Sequence, residues 1–354
     1  MGGILVFGGE TDSPRVEPLP SVGEAPLAVE TVGPGWVPPC RPLARTGRDG
    51  QPITRWQAGV YRRSGTVCSL SMLDRAAGPW TEPHDPAVID PAEVPARPGP
   101  AVYGGLLFHH FGHFLLESTN RLWWPLRHGF TGPILFQHTQ PEEAVPAFIR
   151  RFFELLGLAG QVVVTNRPLA FETIIVPERS MVIRRSIHRD FRLPFAWAAT
   201  AAERAAGAAG GGGRVYLSRT RLGLRTSPGE EVLERDFAQE GFTIAYPETL
   251  SLDRQILLVR GADRVAGLAG SAMHCLLFGR GGSRVLYLSH PPEINPTYPL
   301  IDALMGNHAG YIENCGGLAP DAAWRYGDAL TLDLDRVSRL LPACRRSLDF
   351  DPAG

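Results

Sequence analysis

Residues 242–288 read FTIAYPETLSLDRQILLVRGADRVAGLAGSAMHCLLFGRGGSRVLYL, and the rhythm of this stretch decides the fold. FTIAYPE is a short apolar run stopped by proline. LSLDRQILLVRGA repeats its apolar residues at helical spacing, DRVAGLAG is a second apolar run that ends in glycine, SAMHCLLFGRG is again helical, and SRVLYLS is a third apolar run. Just upstream, RVYLSR (214–219) reads as a strand and PGEEVLERDFAQEG (228–241) as a helix with acidic residues in its first turn. Strands alternating with helices across 214–289 predict a doubly wound α/β domain built on a parallel sheet.

Moving toward the N-terminus, FAWAATAAERAAGAAGGGG (195–213) begins as an alanine-rich helix and decays into glycine, so residues 210–213 read as an interdomain hinge. Before it lies a second α/β series. VYGGLLFHHFGHFLLESTNRLWWPL (102–126) places a glycine pair ahead of a helical pattern of Phe111, Phe114, Leu115, Ser118 and Leu122, ended by Pro125 and Gly129. GPILFQH (132–138) reads as a buried strand, PEEAVPAFIRRFFELLGL (141–158) as a helix, and QVVVTN (161–166) and FETIIVPE (171–178) as two more strands. Residues 1–100 are rich in proline and glycine and hold only short alternating runs, such as QAGVYRR and GTVCSLSML. The expected division is an N-terminal domain at 1–206, irregular up to residue 100 and α/β over 101–206, then a C-terminal α/β domain at 214–330 and a terminal segment at 331–354.

The chain has 354 residues, 44% hydrophobic and 20% charged, with a formal net charge of -1 and a pI near 6.8. That balance gives no global basic field for nucleic acid or an anionic membrane, so any anion must be held by local arginines. All 35 basic residues are arginine, which excludes a Schiff-base lysine and a P-loop lysine. Five scattered cysteines without a CxxC pair suit a reducing compartment. Lacking a signal-like N-terminus and a spanning apolar run, the sequence is read as cytoplasmic, with docking at the inner membrane face left open.

Three groups of residues could carry chemistry. In VAGLAGSAMHCLLF (265–278), Gly267 and Gly270 would let a ligand approach the backbone, and Ser271 opens a helix whose free N–H groups and positive dipole end suit a phosphate; a plain strand-to-helix turn would need the same glycines. In VYLSRTRLGLRTSPGEEV (215–232), Arg219, Arg221 and Arg225 follow a strand, where open α/β sheets bind ligands and guanidinium forks match a diphosphate. Glu230 and Glu231 either join that site or simply cap the next helix and pair with the arginines. Finally, His109, His110, His113 and Glu117 crowd one helix face at spacings of three and four. A metal site would need HExxH or a further ligand and is disfavoured. An acid/base pair, with Glu117 orienting His113, and a polar pair satisfied within a core remain as alternatives.

FGHFLLESTNRLWWPL, VYLSRTRLGLR followed by GEEV, and EGFTIAYPETLSLDRQILLVRGADRVAGLAGSAMHCLLF together resemble glycosyltransferase family 61, across residues 100–315. Bacterial members of that family sit in capsule and exopolysaccharide gene clusters. The resemblance implies a GT-B-like fold, with two Rossmann-like α/β domains facing across a cleft. It also implies an inverting transfer from a nucleotide sugar, UDP-linked or related, to a glycan or polysaccharide acceptor, with no metal or other cofactor and no nucleic-acid partner. The family's His and Glu fall on His113 and Glu117 as catalytic residues. Its donor-binding positions fall on Arg219, Arg225, Glu230, Gly267, Gly270 and Ser271. Gly229 stands where the family has asparagine and Ala269 where it has histidine. A catalytically silent member that only binds a nucleotide sugar or a polysaccharide is the competing expectation.

Overall fold

The computed structural model describes residues 3–8, 13–47, 50, 52–84, 93–207, 213–223, 227–318 and 331–350. Arg225, most of the expected glycine hinge (210–212) and residues 319–330 of the expected C-terminal domain lie outside them. The chain forms two compact units, one of residues 23–194 and one of residues 1–22 together with 195–354. Both are mixed α/β. Among the described residues no helix is long and apolar enough to cross a membrane.

The unit of 1–22 and 195–354 holds the stretch quoted at the outset. Its seven-stranded sheet runs Thr243–Ala245, Gly213–Leu217, Ala262–Leu268, Arg284–Leu288, His308–Ile312, Gly3–Phe7, Arg15–Pro18. The first six strands are parallel and the last is an antiparallel edge. Every expected strand and helix of 214–289 is present, but SAMHCLLF is a 3-10 helix, Ser271–Phe278, rather than an α-helix. The two units do not divide at 206 and 214. Helix Arg192–Ala206 runs into this unit, and the strand Gly3–Phe7 buries Ile4, Val6 and Phe7 beside His308–Ile312. The terminal helix Leu334–Ser347 closes the same core with Val337, Leu340 and Cys344. An apolar strand joins whichever sheet covers both its faces, and nothing local reveals a parallel partner so far along the chain. Asp302 is fully buried beneath this sheet, accepting from the hydroxyls of Tyr287 (3.0 Å) and Tyr311 (2.6 Å) and from Asn307 Nδ2 (2.9 Å); burial still pushes its carboxyl up to about 6.

In the unit 23–194 the central strand is Ala96–Leu107. Ile134–His138 and then Val162–Thr165 lie parallel on one side, and Leu169–Pro177 lies parallel on the other. Residues from the first hundred complete the sheet in antiparallel fashion, through Gly35–Val37 and Val29–Val32 against Leu169–Pro177. The glycine pair of VYGGLL has a packing reason. A Cβ on Gly104 would lie 2.5 Å from Cζ of Phe136, and Gly105 takes a positive φ (111°) where the ladder shifts register. Helix Ala147–Leu155 starts only after Pro146, later than the sequence pattern suggested, because proline's fixed φ suits a helix start and not its interior.

In both parallel arrays the order of strands across the sheet reverses once. In one unit this happens between Gly213–Leu217 and Ala262–Leu268, and in the other between Ala96–Leu107 and Leu169–Pro177. Crevices at the carboxyl ends of such strand pairs are where open α/β sheets take ligands.

Candidate functional site

The first candidate site lies past the carboxyl end of Ala96–Leu107. The expected single helix is split into a short α-turn, Phe111–His113, and a π-helical turn, Phe114–Ser118. A π-turn is costly and persists where packing fixes it, often beside functional groups. Here Phe114, fully buried, provides the anchor. Its ring lies 5.3 Å from Phe152 and 5.7–5.9 Å from Phe148 and Phe153, all on helix Ala147–Leu155. Burying one such side chain contributes about 1.5–3 kcal/mol. Ser118 Oγ accepts the Phe108 N–H (3.0 Å), and Thr119 donates its hydroxyl to the Leu115 carbonyl (2.6 Å).

On this turn His113 and Glu117 meet, as their spacing suggested: Nδ1 of His113 is 2.7 Å from Oε2 of Glu117. The Glu117 side chain is 2% exposed and that of His113 37% exposed, so the carboxylate is enclosed while the imidazole reaches the surface. A third member comes from the first hundred residues. Arg75 donates from Nε to Oε1 of Glu117 (2.8 Å) and from Nη2 to Oε2 (2.6 Å), and its guanidinium lies 3.7 Å from the centre of the Trp80 ring. Burial pushes the Glu117 carboxyl up, but the charge and hydrogen bonds of Arg75 and the hydrogen bond to His113 outweigh it. The net effect is a value below the ordinary carboxylate range.

The other two histidines go elsewhere. His109 pairs with His138 through their Nε2 atoms (2.8 Å), with its Nδ1 3.4 Å from Glu143, and burial lowers the pKa of His138. His110 keeps ring contact with His113, centroid to centroid 5.2 Å. Arg121, from the same motif, is buried under the turn. It donates to the carbonyls of Pro177 (3.0 Å) and Leu70 (2.8 Å), which explains an otherwise costly internal cation. Arg75 and Trp80 escape a sequence reading. The Gly78-Pro79 dipeptide signals a turn, and Asp74–Arg75 and Gly78–Pro79 do pair there, yet nothing in the sequence says which side chain the hairpin delivers.

The second candidate site belongs to the other unit, at its own strand reversal. Arg219, just past Gly213–Leu217, and Gly270, just past Ala262–Leu268, come together: a Cβ on Gly270 would lie 3.4 Å from Nη1 of Arg219. The guanidinium therefore sits at the start of the Ser271–Phe278 helix, whose first N–H groups, at Ser271 and Ala272, have no partner within the helix. A cation and a helix N-terminus at one spot make an anion-attracting corner. Gly267 has a different reason, because its Cβ would come within 2.8 Å of the Leu217 carbonyl oxygen on the neighbouring strand. Glu230 is fully buried. Its Oε1 accepts the backbone N–H of Arg219 (3.1 Å) and the Tyr216 hydroxyl (3.3 Å), so it fixes the arginine's backbone from behind. Burial raises its carboxyl to about 7. His290, past the next strand, was not anticipated. It is buried, burial and the Arg219 charge push it down to about 4, and its Nε2 has no hydrogen-bond partner among the described residues.

Among the described residues no cluster of three or more His, Cys, Asp or Glu is arranged to hold a metal ion. The family model Glycosyltransferase 61 matches residues 111–286, a span that opens on the Phe111–His113 turn and includes Arg219 and Gly270. No curated protein matches the chain.

Proposed function

The chain belongs to glycosyltransferase family 61, and from that premise we propose that it moves a sugar from a nucleotide-sugar donor to a glycan or polysaccharide acceptor, with inversion and without a metal, in capsule or exopolysaccharide synthesis. The observation that carries this reading is the His113–Glu117 pair. An ionised carboxylate can only accept, so the Nδ1 proton of His113 is committed to Glu117 and Nε2 keeps a lone pair on a part-exposed ring. In the proposed step Nε2 takes the proton of an acceptor hydroxyl, the oxygen bonds to the anomeric carbon, and the nucleoside diphosphate leaves with the electron pair of the broken bond. Arg219 and the N–H groups at the start of the Ser271 helix receive that diphosphate, in a GT-B arrangement of the two units with a UDP-linked or related donor. Gly270 fits this role because it leaves the backbone open beside the guanidinium.

The test is turnover of a UDP-sugar, as transfer or slow hydrolysis, in the unsubstituted protein and in His113→Ala. The expected outcome is a kcat lower by about 10²- to 10⁴-fold with nucleotide affinity nearly unchanged. Full turnover in stable His113→Ala protein refutes the base assignment. Tight nucleotide binding with no turnover in the unsubstituted chain supports a binder instead.

A further inference from the structure

We infer that Arg75 is a positioning residue that holds the His113–Glu117 pair in the form able to accept a proton; this rests on the base reading of His113 above. Oε2 of Glu117 is shared by two donors, His113 Nδ1 at 2.7 Å and Arg75 Nη2 at 2.6 Å, and these two nitrogens are only 3.3 Å apart. A guanidinium has no lone pair to offer, so their approach is a contact between two donors that a single carboxylate oxygen holds together. Two consequences follow. The Nδ1 proton has nowhere to go except Glu117, which fixes the tautomer. The Glu117 charge is shared with Arg75, whose fork holds both carboxylate oxygens, so the carboxylate meets the ring in one fixed orientation. An imidazolium here would lie beside a guanidinium with one carboxylate between them.

The arginine is itself held. Its guanidinium is stacked on Trp80, its side chain is 17% exposed, and the neighbouring acid, Asp74, is taken up by Arg179, whose Nη2 donates to Oδ2 (2.9 Å) and Nη1 to the Asp74 carbonyl (2.9 Å). Asp74 therefore does not compete for Arg75. Among the described residues, the charged or titratable groups that act on the pair include Arg75 from the hairpin, Arg179 after Leu169–Pro177, and His110 from the same turn.

The experiment is an NMR titration of the His113 ring in the full chain, beside the pH profile of kcat/KM, for the unsubstituted protein, Arg75→Gln and Arg75→Lys. With Arg75→Gln, Glu117 keeps His113 as its nearest counter-charge, so the His113 midpoint moves to higher pH, and kcat/KM falls several-fold more at pH 6 than at pH 8. Arg75→Lys moves the midpoint the same way by less, because an ammonium supplies the charge but cannot hold both carboxylate oxygens. Glu117→Gln abolishes the difference between Arg75 and Gln at that position, which a merely structural arginine would not do. A midpoint that stays put in whichever of the two Arg75 variants folds overturns the inference. A midpoint that moves while the acid limb of kcat/KM does not leaves the hold of Arg75 intact and removes His113 as the base.

Discussion

Glu230→Gln makes a quantitative test of how Arg219 is held. The carboxyl of Glu230 is fully buried and its Oε2 has no hydrogen-bond partner among the described residues, so the ionised form is disfavoured and burial pushes the carboxyl up to about 7 from an ordinary 4.5. The folded protein thus binds this proton more tightly than the unfolded chain does. Stability owed to it is complete below pH 4.5 and is lost as the pH rises toward 7. At 1.36 kcal/mol per unit the loss amounts to roughly 3 kcal/mol. Glutamine keeps an oxygen for the Arg219 N–H and the Tyr216 hydroxyl but never ionises. The buried Asp302, with its own raised value, adds a slope of the same sign to both proteins, and the comparison cancels it. Urea unfolding of both proteins, at half-unit steps from pH 4.5 to 8, should give curves that lie together at the acid end and separate by roughly 3 kcal/mol at the alkaline end, with glutamine the more stable. Parallel curves across the whole range would mean that Glu230 is ionised in the fold at ordinary pH, and the account of a carboxyl kept neutral by burial would fail.

Arg219→Ala should weaken UDP binding by about 1.5–3 kcal/mol in calorimetry, the worth of a charge-assisted hydrogen bond, and unchanged affinity would remove the arginine from the donor site. Glu117→Gln should lower kcat less than His113→Ala does if the carboxylate only orients the ring; a larger loss would make Glu117 the base. Turnover should survive EDTA, since Arg219 and a helix start can offset the charge of a leaving diphosphate, and activity restored only by manganese would contradict this.

Where the sequence was legible, one short segment carried the information. His113 and Glu117 meet because four residues of helical rise bring them together, and that contact survives the change from α to π geometry. The π-turn itself was hidden, since it depends on three phenylalanines of a later helix closing around Phe114. Likewise the parallel sheet of 214–289 follows from alternation, whereas the order that sets Gly213–Leu217 beside Ala262–Leu268, and so brings Arg219 to Gly270, is visible only in the fold. Gly267 and Glu230 show the limit of that pattern. The resemblance placed both at the donor, with a plain turn and a helix cap as the alternatives; in the fold Gly267 sits against a neighbouring carbonyl and Glu230 supports a backbone N–H. Arg75 was beyond reach because a two-residue hairpin in a proline-rich region carries no period to read, and its partner Glu117 lies 42 residues away.

The strand Gly3–Phe7 leaves one sheet in two pieces along the chain, with Leu5 paired to Gly310. On a ribosome adding about 5–20 residues per second, the first piece waits about 15–60 s for its neighbour to emerge. The intervening residues 23–194 can meanwhile complete their own contacts, while Ile4 and Val6 on one face of the strand and Phe7 on the other stay uncovered. This sheet therefore closes only when a strand made about 300 residues after Gly3–Phe7 arrives beside it. A nascent chain stalled before His308–Ile312 would offer that strand to chaperones, or to the same segment of another chain.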